Sequence, residues 1–422
     1  MMDEHAGVAV AAARRMALAR SWNALMDEIR KRPGFEDFLH PPGIAELLPA
    51  AASGPVVIVN ASTWRCDALV LTSDGLLSIE LSGLTFAEVL ERTDRYLRAI
   101  QEFEIAHKKA ARLDNRAASR SEYWAARASM EQILIATQEW LWDRFTEPIL
   151  DRLGLLTIPP ADEAEWPRVW WCPTGLLALM PLHAAGYHAQ SRTVLDHVIS
   201  SYTPTVKALL EARRQALVRP AVSPEDRLLV VAMENTPGKT QLVSVARERK
   251  LLEAIFAGRH TVLADAAATR AGVAAGLATH RWVHLSCHGT QNLADPSRGG
   301  LLLADGMLRI AELGVDHHHG EFAFLSACKT ATGSIVLPDE VMTLASALHY
   351  TGFSHVVATL WSVWDGAAAQ ISEKVYGYLA RNGGFDPDES AVALHRAVRS
   401  LRDRQDNWRH PSSWSPFVHT GP

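Results

Sequence analysis

The chain has 422 residues, enough for two or three structural units at roughly 150 residues each, or for one large α/β unit with a helical insertion. Apolar residues make up 48% and charged residues 21%, the composition of a folded protein rather than a disordered one. The 42 basic and 47 acidic side chains leave a formal charge of -5, and no like-charge block exceeds Arg30-Lys31-Arg32, which argues against nucleic acid as the main partner. No apolar run reaches the roughly 18 residues of a membrane helix, and the start, with Arg14, Arg15 and Arg20, lacks the apolar region and cleavage site of a secretory signal. No membrane contact and a cytoplasmic address are therefore expected. Cys66, Cys172, Cys287 and Cys328 form no Cys-x-x-Cys pair, which fits a reducing compartment.

The first 50 residues read as Ala-rich helix broken at Pro33-Gly34 and Pro41-Pro42-Gly43, a loosely docked leader. Three short strands follow, Val56 to Val59, Ala68 to Leu71 and Leu76 to Leu81, the last two a hairpin about Ser73-Asp74-Gly75. From about Leu84 to Leu150 apolar positions such as Leu134, Leu141, Phe145 and Ile149 recur at helical spacing, predicting a pair of long helices. Strands return at Val169 to Trp171, Leu176 to Leu182 and Val198 to Ser200, and a helix opens near Pro204.

An alternation then decides the fold class. Strands are predicted at Leu228 to Met233, Val262-Leu263, Trp282 to Cys287, Phe322 to Cys328 and His355 to Trp361. Helices are predicted at Val243 to Phe256, Ala268 to Leu277, Glu340 to Tyr350, Ala367 to Leu379 and Ser390 to Leu401. Such a pattern means an α/β protein with a mostly parallel sheet covered by helices on both faces.

Three motifs read better as structure than as sites. Gly238-Lys239-Thr240 ends like a phosphate-binding loop, but the glycine required five residues earlier is Met233, and Pro237 removes a backbone donor. A nucleotide-driven switch is therefore not expected. His317-His318-His319 has no second ligand pair at useful spacing and reads as a solvated turn. Trp170-Trp171, and Trp361 with Trp364, suit core or pocket-wall roles.

Two strand ends carry the chemistry. Trp282 to Gly289 and Phe322 to Lys329 are apolar runs that stop at His288 and Cys328 and pass into polar loops, placing both at the carboxyl edge where open α/β sheets bind ligands. If the strands are neighbours, with residues 289 to 327 as a hairpin and a crossover, imidazole and thiol come within reach as base and nucleophile. A thiol with a pKa near 8.5 needs such a base to become thiolate at neutral pH, and the imidazolium then protonates the leaving amine. The backbone N–H groups of Gly289 and Cys328 are candidate oxyanion donors. Cys287 points to the opposite strand face from its neighbour and reads, with Cys66 and Cys172, as a core thiol. On residue types alone, a buried histidine and cysteine that merely end two strands would fit equally well.

These segments resemble the CHAT domain, a caspase-like cysteine peptidase domain related to separase and often found beside tetratricopeptide repeats. The resemblance rests on Ser286-Cys287-His288-Gly289, on Leu325 to Thr330, and on the blocks from Leu337-Pro338-Asp339-Glu340 through Ala358 to Asp365. It extends upstream to Trp170 to Gly175, Pro181 to Ala184 and Ser201 to Thr205, and covers about residues 55 to 420. It implies a caspase-like mostly parallel sheet flanked by helices. The implied division is a helical leader (1–54), a degenerate caspase-like N-terminal half with a two-helix insertion at about 84–150 (55–220), and an active peptidase half (221–422). It also implies a cysteine endopeptidase with His288 as general base and Cys328 as nucleophile, a protein substrate, and no metal or organic cofactor. In separase-like relatives an acid directly follows the tryptophan matching Trp361 and receives an arginine. Here that position is Ser362, so Trp361, Ser362 and Asp365, with Asp295, are expected to border the specificity pocket. An activator or sensor protein, repeat-containing in many such systems, is the expected second partner, docking on the helical pair. Loops 289–300 and 329–338 are the expected moving parts of a latent enzyme. The rival reading is a catalytically silent scaffold that keeps the sheet for protein binding.

Overall fold

The computed structural model describes residues 2–36, 38–112, 117–157, 159, 165–223, 225–290, 295, 298–313, 320–326, 343–363, 365–381, 384–405 and 407–422; for 2–12, 111–112, 117–119 and 365 it describes the backbone alone. The chain divides into two compact units, Met1–Leu47 and Leu48–Pro422. The first holds α1 (Met2–Arg30) and α2 (Ile44–Leu47), and the turn after α1 is fastened by Arg30 Nε donating to the Phe38 carbonyl at 2.9 Å.

The second unit opens with β1 (Val56–Ala61), β2 (Cys66–Thr72) and β3 (Gly75–Glu80), an antiparallel meander. The helical pair follows as α3 (Phe86–Arg112) and α4 (Ala117–Leu141). One π-helical turn, Trp142–Thr146, leads into α5 (Glu147–Arg152), whose first turn accommodates Pro148 because that position needs no N–H donor. β4 (Arg168–Pro173) then joins β1 in parallel.

The stretch Leu176 to Leu182 is not a strand. It forms two 3-10 turns, Gly175–Leu179 and Leu182–Ala184, because Gly175 at φ +58 turns the chain out of the sheet and the leucines pack across it. A short apolar run cannot by itself distinguish these outcomes. After the small ribbon β5 (Gly186–Tyr187) and β6 (Arg192–Thr193) come β7 (Ile199–Tyr202) and α6 (Val206–Leu217). Thr205 caps α6, its hydroxyl accepting from the Ala208 N–H at 3.0 Å.

The predicted alternation follows as β8 (Leu228–Ala232), α7 (Val245–Ile255), β9 (His260–Ala264), α8 (Arg270–Thr279) and β10 (Trp282–Ser286). A side sheet of β11 (His288–Thr290), β12 (Gly300–Leu303) and β13 (Gly306–Arg309) leads to α9 (Ile310–Leu313). β14 (Phe322–Leu325), α10 (Leu344–Tyr350), β15 (His355–Thr359), α11 (Asp365–Leu379), α12 (Ser390–Arg402) and β16 (Phe417–Thr420) complete the unit. β14 and β15 stop short of Cys328 and Trp361, where the sequence pattern had carried them.

Eleven strands make one sheet in the order β3-β2-β1-β4-β7-β16-β15-β14-β10-β8-β9. β1, β4, β7 and β16 run parallel, as do β15, β14, β10, β8 and β9, and the two groups meet antiparallel where β15 pairs with β16. The two halves therefore point their carboxyl ends at opposite edges. Within the second half alternate strand residues feed opposite cores. Leu229, Val231, Val283 and Leu285 meet α3, α4, α8 and α10, while Leu228, Val230, Trp282 and Phe324 meet α7, α11 and α12. Both faces are covered, as continuous apolar parallel strands require. No helix among the described residues is long and apolar enough to cross a membrane.

Several histidines lie in these cores. Burial holds His183 and His395 down at about 3, and His188 and His349 down at about 4, against an unfolded value near 6.5. Between these limits the unfolded chain binds protons that the native one refuses, so stability rises with pH there and is lost as pH falls below about 6.5. Urea midpoints are expected to drop steeply from pH 6.5 to 5 and to stay level from 7 to 8; a level midpoint down to pH 5 would contradict this.

Candidate active site

β10 and β14 are parallel neighbours, with Trp282 opposite Phe322 and Leu285 opposite Leu325. That register offset of 40 residues also separates Ser286 from Ser326 and His288 from Cys328. Past Ser286 the chain leaves the main sheet at the buried Cys287 and enters β11, whose first residue is the half-buried His288. The connection to β14 contains the β11–β13 sheet in place of a simple hairpin.

The His288 Nε2 lies 2.8 Å from the Thr240 carbonyl oxygen. A carbonyl only accepts, so Nε2 carries the proton and Nδ1 holds the lone pair. The loop supplying Thr240 is the one that imitates a phosphate-binding motif. Gly238 turns it with φ +72, Asn235 N–H donates to Asp265 Oδ1 at 2.8 Å, and Leu242 N–H donates to the Glu234 carbonyl at 3.0 Å. Thr240 was missed from sequence because its backbone does the work. The left-handed glycine just before it was the available signal.

Gly289, the candidate oxyanion donor, lies in β11 opposite Leu301. β14 ends at Leu325, and Ser326 beyond it donates to Glu248 Oε1 at 3.0 Å. Cys328, loop 329–338, the tract His317-His318-His319 and Trp364 lie outside the described residues, as does most of the loop after Thr290. The other three thiols are buried, and burial pushes Cys172 up to about 12 and raises Cys66.

On the same carboxyl edge, Trp361 follows β15 and is 2% exposed, its indole meeting the Tyr96 ring of α3 edge-on at 5.9 Å. Ser362 Oγ donates to Glu104 Oε1 of α3 at 2.8 Å. The helical pair thus covers this edge with its inner face, and Tyr96, Ile100, Phe103, Met130 and Leu134 join the same core as Leu285 and Trp361. Leu90, Ile105 and Trp124 remain exposed on its outer face. Asp295 is exposed in the loop between β11 and β12, and Asp365 opens α11, its side chain not among those described. The acid brought to Ser362 is Glu104, a residue 258 positions away that no local motif could reveal.

The family model described as CHAT domain matches residues 136–422, so this chain belongs to the CHAT domain family. Two crystal structures of the Saccharomyces cerevisiae separase–securin complex resemble it with a TM-score of 0.62 at 10% identity, covering 89% of this chain and 30% of the separase chain. A complex of the Porphyromonas gingivalis RgpB pro- and mature domains aligns with a TM-score of 0.46 at 9% identity, over 66% of this chain and 69% of that one. No curated protein matches the sequence. The fold is thus caspase-like, a mostly parallel eleven-stranded sheet flanked by helices.

Proposed function

We propose that the chain is a cysteine endopeptidase in which Cys328 attacks a peptide carbonyl and His288 manages the proton. The thiol proton passes to His288 Nδ1 as sulfur bonds to the carbonyl carbon. The imidazolium then gives that proton to the amine as the C–N bond breaks, leaving a thioester, and a water deprotonated by His288 hydrolyses it. The observation that carries this reading is the half-buried His288, two residues past the end of β10, the strand beside β14, and fixed in one tautomer by the Thr240 carbonyl. Gly289 and Cys328 supply the candidate oxyanion donors. Residues 55–220 act as a degenerate caspase-like half that extends the sheet, and 221–422 as the peptidase half. A protein activator is the proposed second partner, in keeping with a separase relative that is seen in complex with securin. The test is mass-spectrometric profiling of a diverse peptide library with the purified chain, including a protein activator when one is found. A silent scaffold would give no thiol-dependent cuts under any condition.

We propose a further acid for the specificity pocket. Glu104, which accepts from Ser362 Oγ, joins Asp295 and Asp365 as a proposed acid of the pocket, and cleavage after Arg or Lys is the outcome expected if it faces the substrate. A charge-assisted hydrogen bond is worth about 1.5–3 kcal/mol; Glu104→Gln should therefore lower cutting after basic residues relative to Leu about tenfold or more. An unchanged ratio would remove Glu104 from the pocket.

A further inference from the structure

Where the β10–β14 ladder stops, the spacing of the two strand ends is set by side chains. Glu248, on α7 and 1% exposed, lies between them. Its Oε2 accepts from Ser286 Oγ and from His284 Nε2 at 3.1 Å, an N–H shared with Ser286 Oγ at 2.8 Å, and its Oε1 accepts from Ser326 Oγ at 3.0 Å. His284 is itself held by Tyr376 of α11, whose hydroxyl is 3.1 Å from Nδ1. Ser286 and Ser326 are the pair at register offset 40, each two residues before His288 and Cys328. A carboxylate with three donors and both oxygens engaged is a rigid clamp, and removing it from so dry a site leaves those donors unmatched.

We infer that Glu248 is a positioning residue that fixes the separation of the ends of β10 and β14, from which the chain runs on to His288 and Cys328, an inference that rests on the peptidase reading. α7 then organises the site twice, through the Glu248 clamp and through the loop that precedes it and brings the Thr240 carbonyl to His288. The role is invisible in the local sequence because Glu248 reads as one polar position on an amphipathic helix.

The test is the pH profile of Cys328 alkylation by iodoacetamide on the full chain, read by mass spectrometry. The buried Cys66, Cys172 and Cys287 serve as slow internal references. In the unmodified protein the midpoint should lie below the ordinary thiol value near 8.5. Glu248→Gln keeps the shape but mismatches the donors. Loosened strand ends weaken the contact of thiolate with imidazolium, so the midpoint should move up and labelling at pH 7 should slow about tenfold. Removing a buried anion would, acting by charge alone, move the midpoint down, and a role in stability alone would leave it in place; either result overturns the inference. Ser326→Ala removes one arm without changing charge and should move the midpoint up by less, a second handle if the Gln variant folds poorly. An ordinary midpoint in the unmodified protein would instead sink the peptidase reading, and the inference with it.

Discussion

Cys328→Ala is expected to abolish peptide cleavage, a loss of about 10,000-fold or more, while leaving the melting temperature nearly unchanged. None of the three described thiols is placed to take over as nucleophile. Cys172 sits at about 12 because it is buried, and Cys66 and Cys287 are buried as well. His288→Ala should cost about 100- to 10,000-fold, the range of a general acid–base group. The two losses should not add, since nucleophile and base act as one unit. Gly238→Val is the corresponding test of the Thr240 loop: a β-branched residue at φ +72 is strained, and a shifted carbonyl would free His288 to take the wrong tautomer. Library cuts that persist in Cys328→Ala would refute this assignment outright.

Glu321→Ala should destabilise the second unit by about 1.5–3 kcal/mol without moving the pH midpoint of Cys328 labelling. Glu321 precedes β14 at the amino edge of the sheet, opposite the proposed dyad. It is buried and accepts from Arg219, from Arg281 Nε at 2.7 Å and from the Trp282 indole N–H at 2.9 Å. Both guanidiniums are mostly buried; deleting their shared anion leaves Arg219 to Asp388 and Arg281 to Asp226 and strips the Trp282 indole of its acceptor in a poorly solvated place. Urea unfolding measures the effect, and a loss under about 1 kcal/mol would mean that water replaces the carboxylate. The contrast with the Cys328 variant separates the two edges of one sheet, one holding the fold and the other bearing the proposed chemistry.

Much of the architecture was readable because parallel strands covered on both faces are uninterrupted apolar runs, as in Leu228–Ala232 and Trp282–Ser286. That β10 and β14 lie side by side was only a condition of the sequence reading, and the fold supplies it. The reading failed at Leu176 to Leu182, where apolar content is shared by strands and packed turns, and the tail at Trp414 to Val418 gave no hint that its strand lies mid-sheet. Candidate residues at strand ends, such as His288, stand out in sequence because they interrupt an apolar run. Thr240 does not, since it contributes a backbone atom. Glu104 and Glu248 do not, since their partners lie 258 and up to 78 residues away and only the folded chain brings them together.

β16 gives the molecule a timetable. It is the last strand in sequence, yet it fills the position between β7 and β15, with Thr420 opposite Tyr202 on one side and Val356 on the other. During synthesis both halves can emerge from the ribosome and begin to collapse, but they cannot be sutured until residues 417–420 clear the exit tunnel. Until then the sheet of a nascent chain stays open between β7 and β15, and the strands β10 and β14 belong to a half that is not yet joined to the other.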